Sequence, residues 1–434
     1  MKVTKTGFHL ATLLFAALLS IAFVSCSKST DSIDEEVVKP EPEPETPELD
    51  LRNWHPAVPI KLSASHTEIK DSLIAFSWQT FGVMNKGNES ENKVYSPLSL
   101  TTCLAMLANG VEGESRRSLF KAMRIAGTPI EECNAFVSTF MEGVADADKL
   151  SKYACANAMW YDKSLTLSDA FSKTLTDVYS CQFFPTVISK TTGDEINEWV
   201  KGKTNGLIKQ IVFHEVSKDE KAHLVNATYF KSNWRVNFEK RKTTKQAFYT
   251  SDGRSTQVDM MRNKMDGYYL DDANQTMVAI PFNNDAFYMM FIMPKEGYSI
   301  DQSIAFMESN VNIASKMRRV MDIDISFPKF TSSLTVNMLD VLEECGLHGL
   351  MASPSDCRMF TNTQVALNTI THSATITVDE KGAEAAAATH LRLETSNGGE
   401  LPKPIVVTLD HPFVFCIMEH STSFPLFIGS VERP

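Results

Sequence analysis

The chain has 434 residues, 43% apolar and 22% charged, a globular composition that excludes a mainly disordered chain and a multispan membrane protein. Its formal net charge is -11, but residues 31–50 carry nine Asp or Glu against one Lys and residues 1–30 carry three Lys, which leaves 51–434 at -6. Such mild acidity over so long a stretch offers no phosphate-tracking surface, and no nucleic-acid partner is expected.

Lys2 and Lys5 precede an apolar run from Phe8 to Val24 that is short for a membrane span and interrupted by His9, so residues 1–25 read as a signal peptide. Phe23-Val24-Ser25-Cys26 resembles a bacterial lipobox, with Phe where Leu is more usual; in such a motif the cysteine is acylated and becomes the new N-terminus. The expectation is a secreted lipoprotein of the cell envelope, held at the outer membrane or cell surface through Cys26. A soluble secreted protein with an incidental cysteine is the alternative. Acyl chains at about 0.8 kcal/mol per buried methylene make such an anchor nearly irreversible.

Residues 26–58 follow as anchor region and linker. Within them KPEPEPETPELD, residues 39–50, alternates Pro with Glu, which denies helix and sheet their hydrogen bonds and extends the segment by charge repulsion. At about 3.1 Å per residue its twelve residues reach roughly 37 Å, enough to hold a domain clear of a lipid surface. Residues 59–434 show no second linker and no internal repeat, and read as one large domain.

Helices come first. IKDSLIAFSWQTFGVMN places Leu73, Ile74, Phe76, Phe81 and Val83 on one apolar face. PLSLTTCLAMLANG predicts a second helix with Ser96 as N-cap, Pro97 as first residue and Gly110 as terminator. Strand signals dominate later, at Ile323 to Phe330, Val406 to His420 and in the closing FPLFIGSVERP, all rich in β-branched and aromatic residues. The fold class is α+β.

Seven cysteines remain besides Cys26: Cys103, Cys133, Cys155, Cys181, Cys345, Cys357 and Cys416. An odd number cannot all pair, though a Cys345 to Cys357 disulfide is compatible with the sequence. None lies in a metal-ligand spacing, so they read as small buried hydrophobes and no metal or cofactor is expected. The GxSxG, HExxH, GxxxxGK[ST] and GxGxxG patterns are all absent. Ser96, His372 and Asp379 offer the residue types of a triad, but Ser96 has a local explanation as a helix cap and no nucleophile motif surrounds it. An enzyme is not expected.

The unusual segment is ATITVDEKGAEAAAATHLRLETS, residues 374–396. Ala374 to Val378 reads as a strand, Gly382 as a break, and Ala385 to Ala388 as a run of alanines. Beyond them Leu391, Leu393 and Thr395 alternate with His390, Arg392, Glu394 and Ser396, the period of an extended strand with one apolar face. Extended backward through Ala383, Ala385, Ala387 and Thr389, every inward position is small or apolar. Loop chemistry follows in SNGGELPKP, residues 396–404.

VDEKGAEAAAAT, residues 378–389, resembles the reactive-loop hinge of inhibitory serpins, and ordered likenesses cover nearly all of residues 65–434. They include NKVYSPLSL from Asn92, INEWVKGKTNGLIKQIV from Ile196, LVNATYFKSNW from Leu224, FPKF from Phe327, CGLHGLM with DCRMFT, DHPFVFCI and FPLFIGSVERP. The resemblance implies three β-sheets, eight or nine helices, and an exposed reactive-centre loop that inserts into the central sheet after cleavage. It also implies a monomeric inhibitor whose partner is a serine or cysteine endopeptidase. Asn92, Ser96, Ser99, Asn226 and His372 fall on the family's polar cluster beneath the opening of that sheet. Glu380, Gly382, Ala383, Glu384, Ala385, Ala386, Ala387 and Ala388 fall on the hinge. The family's spacing, seventeen residues counted from Glu380, puts the cut bond between Ser396 and Asn397, with Thr395 as alternative acyl-forming residue. Arg392 suits a trypsin-like enzyme, but so early a cut leaves less strand to insert. A small residue at the cut suits elastase-like or subtilisin-like enzymes. The rival readings are a non-inhibitory serpin-fold surface binding protein and a secreted hydrolase.

Overall fold

In the computed structural model the described residues are 55–87, 90–350, 356–365, 369–383 and 403–434. Helix α1 spans Ala64–Asn85 and starts where the Ser63 hydroxyl accepts the His66 backbone N–H. Leu73, Ile74, Phe76 and Phe81 are buried as their spacing predicts, while Val83 is half-buried. Helix α2, Pro97–Asn109, follows its predicted caps: the Ser96 hydroxyl accepts from Ser99 N, Pro97 opens the first turn and Gly110 closes the last. Nearly every residue of α2 is buried, because sheet and helices enclose it on all sides. The remaining helices are α3 (Gly113–Ala122), α4 (Ile130–Ala147), α5 (Asp169–Tyr179), α6 (Thr192–Lys203), α7 (Ile300–Ser309) and α8 (Met338–Glu344). That makes eight α-helices among the described residues.

The six-stranded sheet runs in the order β10 (Phe330–Asn337), β11 (Thr371–Val378), β12 (Gly382–Ala383), β4 (Ala222–Asn233), β2 (Lys152–Asp162) and β3 (Gln182–Thr186). A nine-stranded ladder holds β1 (Lys93–Tyr95), β15 (Pro425–Val431), β14 (Phe413–Glu419), β8 (Phe287–Pro294), β7 (Gln275–Pro281), β6 (Ser255–Asp271), β9 (Arg318–Pro328) and β13 (Ile405–Thr408), with β5 (Thr244–Tyr249) also on β6. The three expected sheets thus appear as two hydrogen-bonded ladders, because β6 is 17 residues long and serves both halves of the larger one. Its first half pairs β5, its second half pairs β7, and the register against β9 shifts between Met265 and Gly267. Gly267 permits that bend: a Cβ there would overlap the carbonyl oxygen of Ala279.

Two predicted strands divide. The run predicted at Ile323 to Phe330 belongs to β9 and β10, which part at Lys329 as the chain leaves one sheet for the other. The run predicted from Val406 to His420 splits into β13 and β14 around Asp410-His411-Pro412, where Pro412 cannot donate to a ladder. The described residues all fall in one compact unit, Thr46–Pro434.

Candidate functional site

The site grows from the start of α2. Capping leaves the Ser96 side chain one further bond, donated to Leu426 O at 2.8 Å, and the Ser96 backbone N–H donates to His372 Nε2 at 3.1 Å. His372, on β11, is buried and packs edge-on against Tyr95 with ring centroids 5.9 Å apart. Burial pulls its imidazole down to about 4, so the ring is neutral near neutrality, with the proton on Nδ1 because Nε2 accepts.

One helical turn further, the Ser99 hydroxyl donates to Asn226 Oδ1 on β4. Asn226 Nδ2 donates to Asn157 Oδ1 at 2.6 Å and to Cys155 Sγ at 3.0 Å, both on β2, and Asn157 Nδ2 reaches Tyr179 O at 2.8 Å. Strands β2, β4 and β11 are thereby fastened from below to α2 and to the end of α5. Cys155 reads in the sequence only as a small buried hydrophobe and Asn157 carries no motif; the signal that joins them is the period-two pattern of YACANAMW, which puts both on one face.

Asn92 stands apart from this cluster. Its Oδ1 accepts from Glu432 N at 2.8 Å and Arg433 N at 2.9 Å, and its Nδ2 donates to Arg433 O at 2.8 Å. It ties the C-terminal segment to the entry of β1 and makes no bond to Ser96, Ser99, Asn226 or His372.

At the other end of β11 the chain reverses. Asp379 Oδ1 accepts the backbone N–H of Lys381 at 2.8 Å and of Gly382 at 3.3 Å, closing a tight turn, and β12 then pairs with β11 and β4 at once. Ala383 is in register with Val378 on one side and Ser232 on the other, and its methyl is buried in the core. Gly382 lies so close to β4 that a Cβ would overlap the Ser232 carbonyl oxygen, so no other residue fits this register. The turn is held from outside by Trp234 N to Lys381 O at 2.8 Å, Trp234 Nε1 to Asp379 O at 2.9 Å and Phe238 N to Glu380 O at 2.8 Å. Trp234 itself stacks on Phe282 with centroids 4.5 Å apart.

Glu380 is buried and meets Lys329 Nζ at 3.1 Å and the Thr243 hydroxyl at 2.8 Å. Burial alone would push its carboxyl up, but hydrogen bonds from backbone, Thr243 and Lys329 outweigh that and hold it below the ordinary value. Lys329, Thr243 and Trp234 are the partners of this turn, and nothing local in the sequence marks the first two.

Ser96, His372 and Asp379 form no relay: the Ser96 hydroxyl serves Leu426, His372 receives a backbone N–H, and Asp379 is spent on its own turn. Cys345 and Cys357 are both free thiols, as are the other five described cysteines, so the structure holds no disulfide between them. Glu384, Ala385, Ala386, Ala387 and Ala388, the candidate cut at Ser396 and Asn397 with Thr395, and Cys26 lie outside the described residues.

A family model described as serpin (serine protease inhibitor) matches residues 71–434. The serine protease inhibitor of Cyanea capillata is 29% identical over 359 residues, covering 79% of this chain and 93% of that protein. The thermophilic serpin tengpin in its native state superposes with a TM-score of 0.75 at 25% identity, covering 88% of this chain and 97% of its own. Human thyroxine-binding globulin complexed with thyroxine gives a TM-score of 0.76 at 22% identity, covering 86% and 100%, a likeness of fold alone.

Proposed function

The chain belongs to the serpin family, and from that premise we propose that it is an irreversible, suicide-type inhibitor of a serine or cysteine endopeptidase. The observation that carries the reading is the hairpin after β11, which turns residues 382 and 383 back between β11 and β4 and hydrogen-bonds them to both. A strand continued from there would meet a partner on each side. The alternation through Leu391 and Leu393 suits it for such burial, at roughly 1.5–3 kcal/mol per leucine plus a ladder of backbone hydrogen bonds. Held outside the sheet, the uncut loop stores that free energy behind a kinetic barrier.

In the proposed cycle the protease nucleophile attacks the Ser396 carbonyl carbon and Asn397 leaves as a free amine. The ester or thioester so formed links Ser396 to the protease. Insertion of the freed strand carries the enzyme with it and distorts its site before water cleaves the link. Small residues near the cut favour an elastase-like or subtilisin-like target. Cys26, acylated, holds the inhibitor at the cell envelope, and the Pro/Glu linker spaces it from the lipid.

Human thyroxine-binding globulin shares the fold and is complexed with thyroxine, so a non-inhibitory binding role is the second reading. The alanine run from Ala385 favours inhibition, because a hinge passing between strands must not carry polar groups out of water. The deciding experiment mixes the purified chain with a small panel of proteases that includes elastase and subtilisin. A denaturant-stable complex at near one-to-one stoichiometry is expected, and cleavage of the chain by every protease with no such complex overturns the reading.

A further inference from the structure

Beneath the strand end that receives the hinge lies a second buried polar group. Asp148 follows α4, Ser151 precedes β2, Ser232 is the next-to-last residue of β4 and Asn283 sits in the turn between β7 and β8. All four are buried. Asn283 Nδ2 lies 3.1 Å from Asp148 Oδ2, 3.1 Å from Ser151 Oγ and 3.0 Å from Ser232 Oγ. The two serine hydroxyls are 2.6 Å apart, Ser151 donates to Asp148 Oδ2 at 2.5 Å, and Leu150 N donates to Asp148 Oδ1 at 2.9 Å. The Asn283 backbone N–H bonds Asn233 O at 2.9 Å.

Two features set this knot apart from ordinary core hydrogen bonding. Asp148 is a buried carboxyl group that meets no cation among the described residues, only uncharged donors. An apolar side chain of similar size would avoid the desolvation cost there, whereas a hydrogen-bonded polar network, closed here at every side chain but left open at Asn283 Oδ1, fixes one geometry and penalises others. What it fixes is Ser232, the β4 residue in register with Ala383, whose carbonyl oxygen also lies against Gly382. A strand end is where ladders fray, and β4 ends one residue later.

We propose that Asp148, Ser151, Ser232 and Asn283 are positioning residues for the hinge. By holding the inner side of β4 at Ser232 they keep its outer rail in the one register that residues 382 and 383 can enter, and so set the share of cut loops that trap rather than release the protease. The trapping part rests on the inhibitory reading above; the holding of the register does not.

The test uses the full chain with subtilisin as probe and compares Asp148→Asn, Asn283→Asp and the double swap. Each single variant sets two donors or two acceptors against each other, and the double restores complementarity. The loop of each single variant is expected to be cut at the parent's rate, while the fraction appearing as denaturant-stable complex falls severalfold. Hydrogen exchange at the Trp234 and Phe238 amides, which bond Lys381 O and Glu380 O, should quicken, and the double swap should recover both readouts. Ser232→Ala, which adds no charge and leaves the Asp148 bonds to Leu150 and Ser151, replaces any single variant that does not fold. Unchanged trapping and exchange in the single variants overturn the proposal. So does a loss that merely follows the melting temperature and is not recovered by the swap. Should the parent itself trap no protease, the inhibitory reading fails on its own, and exchange at Trp234 and Phe238 still decides the positioning role.

Discussion

His372 Nε2 accepts the backbone N–H of Ser96 at 3.1 Å, so the central strand β11 is fastened to the residue that caps α2. The bond exists only while Nε2 is bare, because a protonated ring would set N–H against N–H. Burial lowers the ring to about 4 in the folded chain, against about 6.5 when unfolded. Between those values the unfolded chain binds the proton and the folded chain does not. The stability contributed by a neutral His372 is therefore full above about 6.5 and is lost as pH falls toward about 4, amounting to about 3 kcal/mol. Urea midpoints at about pH 7.5 and about pH 4.5 check this. His372→Gln is expected to lower stability at the higher pH and to show the smaller drop between the two, and an equal drop in parent and variant counts against the assignment.

Glu380 joins Lys329 and Thr243 across the hinge turn. The Lys329 side chain is 39% exposed, so the ion pair is screened and water takes the place of Glu380 at Lys329, whereas losing Lys329 leaves the buried Glu380 carboxylate to Thr243 and backbone alone. Lys329→Ala is expected to lower the unfolding free energy by about 1–2 kcal/mol and to quicken exchange of the Phe238 amide, with smaller effects for Glu380→Ala, which strands no buried charge. Denaturant midpoints for both variants supply the comparison. A larger loss at Glu380 than at Lys329 would show that the hydrogen bonds Glu380 makes outweigh the buried charge that Lys329 compensates.

Much of this arrangement was legible from local pattern. Ser96 before Pro97 and an apolar run is a cap by its own chemistry, and the structure places it so. The break at Gly382 was equally readable, but its cause was not: the carbonyl of Ser232, far away in the chain, occupies the space of a side chain. Pairings between remote residues follow the same rule. Nothing near Lys329 or Thr243 points to Glu380, and Asn92 has the look of a cluster member while its bonds go to backbone at Glu432 and Arg433. The division of β9 from β10 at Lys329 has no signal in the sequence because both strands share one continuous β-rich composition. Periodicity reports which face a residue takes, and tertiary partners decide what it meets there.

Cleavage of the loop should raise thermal stability. The hairpin at Asp379 to Ala383 already pairs its first two strand residues with β4 and β11, and a freed end would let the alternation through Leu391 and Leu393 continue it. At this size one kcal/mol shifts the melting temperature by roughly 1–2 °C, and the proposed insertion gains many, so a shift of tens of degrees is expected. Calorimetry before and after limited subtilisin nicking near Ser396 measures it. A nicked form that melts with the intact one removes the insertion mechanism.

In the proposed cycle the hinge alanines decide whether a cut loop traps or merely releases, since insertion there has to outrun hydrolysis of the acyl-enzyme. Ala383 faces the core, with its methyl buried, and side chains alternate along a strand, so Ala385 is the next inward position and Ala386 the next outward one. An arginine at an inward position would bury a long cation with no evident partner, at several kcal/mol on the insertion path. At an outward position its head would stay in water while only its stem packed. The proposed reactive bond, Ser396 to Asn397, lies well beyond both in sequence, so recognition by the protease should not change. Ala385→Arg is accordingly expected to be cut at the parent's bond and rate yet to form no denaturant-stable complex, while Ala386→Arg keeps most of its trapping; gel quantification of cleaved chain against complex reads both. Equal loss at the two positions would mean that the parity set by Ala383 does not extend along the hinge, and full trapping by Ala385→Arg would mean that this hinge does not enter the sheet.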